Sequence, residues 1–213
     1  MNTVYTYYVK ISEERHAESL PMLAHWKRSW ASRGWNPVVL GQHHAQSHPL
    51  FNVFNDRVKE LPTINPAEYE LACYHRWLAV AQMGGGFMTD YDVINYSYAA
   101  APVSCPLRIH EAHPALDEVT PSVVSGSQAG FERACAAFCA TNHESLNYTV
   151  KGELHASDMI ILQMLAHTGL YVFTRDVRPY GDDEWKDASL VHYASRTTAN
   201  TDRVQCVKYA RPL

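Results

Sequence analysis

The stretch from Glu70 to Tyr96, ELACYHRWLAVAQMGGGFMTDYDVINY, decides how the chain is read. Leu71, Tyr74, Leu78 and Ala81 recur at helical spacing, with Trp77 beside them, and predict a helix starting near Pro66. Gly84 fits the position just past its end, where a left-handed residue closes the last turn. A strand is predicted over Phe87–Val93, carrying Asp90 and Asp92. On a strand, residues two apart point to one side, so both carboxylates share a face. At the carboxyl end of a strand in an open α/β sheet, that face borders the crevice where ligands bind. Hard divalent cations want oxygen ligands; Mg²⁺ or Mn²⁺ held by one or two carboxylates completes its shell with phosphate oxygens and water. The pair therefore reads as a cation site, against the plainer reading of two exposed aspartates at a turn.

Upstream, TVYTYYV over residues 3–9 is β-branched and aromatic without a breaker and fits a strand buried on both faces. A helix follows from Glu13 to Ser32, with Leu20, Leu23, Trp26 and Trp30 at helical spacing. Pro21 either opens this helix or kinks it. Asn36–Leu40 is a second strand, and a right-handed crossover makes the two parallel. Residues 41–66 read as a surface loop with one short helix or strand; His43, His44 and His48 have no carboxylate or cysteine at ligand spacing and read as solvated. Downstream, a strand is expected over 122–125 and a helix from Ser127 or Gln128 to Cys139. A loop covers HESLNYTVKGELH, and Ser157 caps a helix over Asp158–Ala166. Strands lie at 171–174 and 190–192. The alternation makes the chain α/β.

A length of 213 residues fits one domain. The net charge of −4 and pI near 6.3 offer no basic field for nucleic acid or an anionic membrane. Five cysteines without a CxxC pair argue against a disulfide framework or structural zinc. The first residues lack a basic segment followed by an apolar run, and no window reaches membrane-spanning length, so a cytoplasmic location is expected.

Arg76 on a helix, the Gly84–Gly86 turn and FMTDYDV together resemble the signature of DXD-containing sugar transferases of the Och1-like and capsular-polysaccharide kind. The resemblance implies a GT-A-like, Rossmann-related open mixed sheet flanked by helices in a single domain. It implies a donor-binding half over 1–98 and an acceptor-binding half over 99–213. It also implies a nucleotide-sugar donor (UDP- or GDP-linked), a glycan or other hydroxyl acceptor, and a metal. Where that family carries a sugar-contacting aspartate three residues before the arginine, this chain has Cys73, with Glu70 one turn earlier.

The resemblance extends to SLVHYASR, where His192 would complete a metal shell with Asp90 and Asp92, and Ser195 and Arg196 would hold the diphosphate. Lys186 and Lys208 are further candidates for the phosphates. A nitrogen ligand favours Mn²⁺ over Mg²⁺. Asp158, opening a helix, stands where the resembling enzymes place a residue facing the acceptor, and is the candidate general base, although its position beyond the cap is favoured by the helix dipole regardless. Arg76 can fix the aspartates through its forked guanidinium. Tyr7, Tyr8 and Val9 end the first strand, where a nucleotide base would dock. The expected function is metal-dependent sugar transfer, with Asp92 and Asp158 in catalytic roles. A phosphatase of the haloacid-dehalogenase type, using Asp90 as nucleophile and Asp92 as acid, and a non-catalytic nucleotide-sugar module remain open.

Overall fold

The computed structural model describes residues 2–99, 106–113, 118–194 and 203–210, the last segment with side chains through Lys208. The chain begins β1 (Asn2–Tyr7), α1 (Glu13–Ala31), β2 (Trp35–Leu40), α2 (Gln42–Gln46), α3 (Phe51–Val58) and α4 (Ala67–Gln82). It continues through β3 (Gly85–Thr89), β4 (Val93–Asn95), β5 (Leu107–Ala112), β6 (Val119–Ser127) and α5 (Gln128–Ala140). The last elements are β7 (Thr149–Val150), β8 (Glu153–Leu154), α6 (Asp158–Met164), β9 (Tyr171–Phe173), β10 (Val177–Pro179), β11 (Leu190–His192) and α7 (Arg203–Ala210).

A mixed sheet flanked by helices results, as the strand–helix alternation predicts. Six strands run in the order β2-β1-β3-β6-β5-β9. β1 is parallel to both β2 and β3, while β6 is antiparallel to β3 and β5. A smaller sheet, β10-β11-β4, stands beside it, with His192 paired to Val93. Both halves of the chain contribute strands to each of these sheets. The period-2 alternation of β1 divides the core: Val4 joins the cluster built on Trp26, Trp30 and Phe87, whereas Tyr5 and Tyr7 pack against the one containing Trp77, Met88 and Phe131.

Four expectations are corrected. α1 starts at Glu13 as expected, where Ser12 accepts a hydrogen bond from the Arg15 amide at 3.2 Å, and runs through Pro21, but the row expected to face the core changes. Its buried row is Met22, Leu23, Trp26 and Trp30, while Leu20 is exposed. Residues 41–66 hold two helices, because Phe54 and Val58 recur at the spacing that buries one face of α3. HESLNYTVKGELH contains the small β7–β8 hairpin. The expected strand over Phe87–Val93 splits into β3 and β4, so Asp90 and Asp92 lie in the turn between them; the Val93 amide donates to the Asp90 carbonyl at 3.1 Å. Turn geometry, rather than strand alternation, brings the carboxylates together.

The glycine that opens β3 has a steric cause. Gly85 has φ +85°, and a Cβ there would lie 2.5 Å from the Gln128 amide nitrogen and the Ser127 carbonyl carbon. Only glycine lets β3 leave α4 this close to the start of α5.

Candidate metal centre

Two tryptophans of α1 fix the end of β3. The Trp26 indole donates to Thr89 Oγ1 at 2.8 Å, and the Trp30 indole to the Val93 carbonyl at 3.1 Å. The Asp90 amide donates to the Ser122 carbonyl at 2.7 Å, and the Tyr193 amide to the Asp92 carbonyl at 2.9 Å. The turn is thus tied to α1, β6 and the residue after β11. Among the described residues, Asp90, Asp92 and His192 form a group whose ligand atoms all lie within 4.8 Å of one another. Two carboxylates and an imidazole are a donor set that fits a divalent cation.

Arg76 braces this turn from α4. Its Nη1 donates to Asp90 Oδ1 at 2.5 Å, while Nε and Nη2 donate to Asp158 Oδ2 at 3.1 and 2.6 Å. The Trp77 indole adds a bond to Asp158 Oδ2 at 2.9 Å, and the Met159 amide donates to Oδ1 at 2.8 Å. Ser157 caps α6 as expected, accepting from the Ile160 amide at 3.3 Å. Asp158 is 3 % exposed and both its oxygens are engaged, Oδ2 by Arg76 and Trp77 and Oδ1 by the Met159 amide. Burial works against the Arg76 charge, but Asp158 and Asp90 outweigh it and hold its pKa well above the usual value. The Asp90 carboxyl is pushed up to about 6, chiefly by burial and in part by Asp92, against the pull of Arg76.

His192 has a partner that the sequence reading missed. Its Nδ1 lies 2.8 Å from Glu111 Oε2 on β5, and Ser122 also donates to that oxygen. An ionised carboxylate only accepts, so Nδ1 carries a proton and Nε2 is turned toward Asp92 Oδ1, 3.5 Å away. A carboxylate behind the far nitrogen is the usual support of a metal-binding imidazole. Burial disfavours the charged ring, yet Glu111 and Asp92 together keep its pKa well above 6.5. The register shifts between Ile109 and Glu111, a local irregularity that re-aims a side chain and breaks the alternation a sequence reading relies on.

Arg203, at the start of α7, is the second missed residue. It donates from Nη1 to Asp92 Oδ2 at 2.8 Å and lies 6.0 Å from the Tyr91 ring centroid. Burial raises the Asp92 pKa, but His192 and Arg203 outweigh it and hold the carboxyl below its ordinary value. The one signal in the sequence was a short stretch, RVQCVKYA, with apolar residues at 204 and 207.

The other expected residues divide. Tyr8 stands near the site: its hydroxyl is 2.9 Å from His16 Nδ1, and its ring meets Tyr91 edge-on at 5.7 Å. Tyr7 faces the opposite side of β1, where burial raises its phenol pKa, and Val9 follows the strand half-buried. Ser195 and Arg196 fall outside the described residues. Lys208 acts on His25 of α1, and Lys186 is exposed in the turn before β11. His44 accepts from the Gly41 amide at 3.0 Å with the His43 ring 3.8 Å away, centroid to centroid, while His48 is buried 3.3 Å from Glu132 and has a partner of its own.

A family profile described as "Domain of unknown function (DUF8765)" matches residues 1–164, a span holding Arg76, Asp90, Asp92, Glu111 and Asp158. His192 and Arg203 lie beyond it. No curated protein matches the chain. Among solved structures, one described as a glycosyltransferase involved in the glycosylation of the major capsid of PBCV-1 aligns with a TM-score of 0.57 at 11% identity. The alignment covers 97% of this chain and 98% of that one, so the likeness concerns the whole fold. Among the described residues, no helix is long and apolar enough to cross a membrane.

Proposed function

We propose, for a chain that belongs to the DUF8765 family, that it transfers a sugar from a nucleotide-diphosphate donor to a hydroxyl acceptor on a GT-A-like fold, with a divalent cation at Asp90, Asp92 and His192. The observation that carries this reading is the buried convergence of those three side chains, with Glu111 behind the imidazole. The nitrogen donor favours Mn²⁺ over Mg²⁺. Such a cation would neutralise charge on the departing diphosphate oxygen.

The remaining roles belong to the chain's own residues. Glu111 holds His192 in the tautomer that turns Nε2 toward Asp92. Arg76, anchored on Asp158, fixes the Asp90 rotamer. Arg203 supplies the cation next to Asp92 that the sequence reading sought at Arg196, and exchanges its carboxylate partner for the donor diphosphate. Tyr8 and Tyr91 form the aromatic edge on which the nucleotide base rests. Asp158 positions Arg76 and takes no proton. The phosphatase alternative gives His192, Glu111 and Arg203 no task.

The test is thermal stabilisation by Mn²⁺ with UDP or GDP. Ligand at about 100 times its Kd adds about 2.7 kcal/mol, which is a Tm rise of about 5–10 °C for a chain of this length. Asp92→Asn abolishes the rise. No shift with either nucleotide in the wild-type protein refutes the reading.

A further inference from the structure

The first turn of α4 carries a carboxylate that the metal centre leaves unused. Glu70 is 5% exposed. Its Oε1 accepts from Asn65 Nδ2 at 2.9 Å, and its Oε2 is buried with no hydrogen-bond partner. The Tyr74 hydroxyl, one turn further along the same helix face, is also buried and unpartnered. Buried polar atoms are nearly always paired, so two orphans on adjacent turns mark a place built for something other than stability.

Resting on the sugar-transfer reading above, we propose that Glu70 is the general base of the transfer. Tyr69 beside it is the platform for the acceptor, a carbohydrate presenting one hydroxyl to the site. Three observations carry this. Asp158, the other acid on this side, has both oxygens committed to Arg76, Trp77 and Met159. Tyr69 is 42% exposed, with the Arg15 guanidinium carbon 6.0 Å from its ring centroid, and its phenol feels the charges of Asp90, Arg76 and Asp158. Such a ring gives the apolar face of a sugar a surface to stack on. Finally, Asn65 is half-buried, so the Glu70 oxygen it holds lies one side chain in from solvent. The terminal torsion of a glutamate is soft, and an acceptor hydroxyl that takes the place of the amide meets that oxygen.

The surroundings suit the task. Burial pushes the Glu70 carboxyl up to about 7, with Asp158 adding to this and the Asn65 bond and Arg76 opposing it. A base titrating there is half ionised at neutral pH and accepts a proton readily. The polar groups around it are Tyr69, Cys73, Tyr74 and Arg76 on α4, Asp158 on α6, and Asn65 in the turn before α4. His155 lies beyond that turn, its Nδ1 accepting from the Ile64 amide at 3.4 Å. The Cys73 thiol is itself pushed well up by burial and by Asp158, so it does not compete as a base. In the transfer, the acceptor O–H bond breaks and its proton passes to Glu70. The oxygen forms a bond to the anomeric carbon while the bond from that carbon to the diphosphate breaks, its electron pair leaving on the phosphate oxygen. One displacement of this kind inverts the anomeric centre.

The experiment compares wild type with Glu70→Gln, Glu70→Asp and Tyr69→Ala in Mn²⁺. UDP-glucose, UDP-galactose and GDP-mannose serve as donors, with p-nitrophenyl glucoside, galactoside and mannoside as acceptors. Glu70→Gln is expected to keep the Tm rise with Mn²⁺ and UDP or GDP while turnover falls about 100-fold or more. Glu70→Asp recovers part of the loss. The wild-type kcat/KM falls as pH drops below about 7, and the residual rate of Glu70→Gln lacks that limb. Tyr69→Ala raises the acceptor KM by about tenfold with the Tm rise intact. A Glu70→Gln rate within about threefold of wild type, with the Tm rise present, overturns the inference and leaves the sugar-transfer reading standing. A wild-type protein with neither Tm rise nor turnover overturns both.

Discussion

Glu70→Gln is expected to stabilise the protein at pH 8 and to change little at pH 4. The carboxyl titrates near 4.5 in the unfolded chain and at about 7 in the folded one, raised mainly by burial. Between those values the folded state binds a proton that the unfolded state has released. The contribution is fully present below pH 4.5 and is lost as pH rises through about 7. At about 1.4 kcal/mol per pH unit, the interval corresponds to about 3 kcal/mol lost in the wild type. Glutamine offers the same Oε1 to Asn65 and has no charge to lose, so the variant escapes this penalty. Asp90, pushed up to about 6, titrates with the same sign in both proteins and cancels from the difference. The assay is urea unfolding of both proteins from pH 4 to pH 8. With an m value of about 2 kcal/mol/M, the midpoints coincide at low pH and separate by about 1.5 M at pH 8, the variant higher. Parallel curves over the whole range refute the assignment of a buried, unpaired carboxylate. A crossover in the opposite sense refutes it as well, since it would require the charged form to be the one the fold favours.

Two further outcomes test the frame around the site. Glu111→Gln removes the charge behind His192 while leaving an acceptor for Nδ1, and is expected to weaken Mn²⁺ binding about 10- to 100-fold by electron paramagnetic resonance titration; an unchanged Kd removes Glu111 from the metal centre. Gly85→Ala puts a methyl group 2.5 Å from the backbone where α5 begins, on a residue at φ +85°, and is expected to cost about 1–3 kcal/mol in urea unfolding; a loss under about 0.5 kcal/mol contradicts the packing of β3 on that helix.

What was legible in the sequence followed from local chemistry. The row Tyr74, Leu78 and Ala81 needs only the helical period to declare its buried face, and Gly84 needs only its freedom at positive φ to end it. Asp90 and Asp92 were found for the same local reason, although the turn that joins them was read as strand. A continuous strand over residues 87–93 and a strand split by a turn have the same composition, and only the pairing of Val93 with His192 separates them. His192 itself was reachable because it ends a strand of its own.

The residues that went unseen are those whose position is set by another part of the chain. Glu111 lies past an irregularity in β5, so the alternation rule does not report which way it faces, and its partner comes from a strand 81 residues further on. Arg203 comes 111 residues after Asp92, on a short helix held by Val204 and Val207 against the core rather than by any motif. Asp158 was seen without its partners: a carboxylate beyond a helix cap looks free in the sequence, and only the fold brings Arg76 and Trp77 onto it. The same closure decides the surroundings of Glu70, which the sequence names only by its place one turn before Cys73. An acid in the first turn of a helix suits the helix dipole, so its position alone does not report its partners. Asn65, from the turn before α4, satisfies one of the Glu70 oxygens and leaves the other buried without a partner. Local periodicity therefore locates the elements and the acids, while the distribution of partners among those acids, which decides whether each one holds a metal, holds an arginine or takes a proton, is a property of the closed fold.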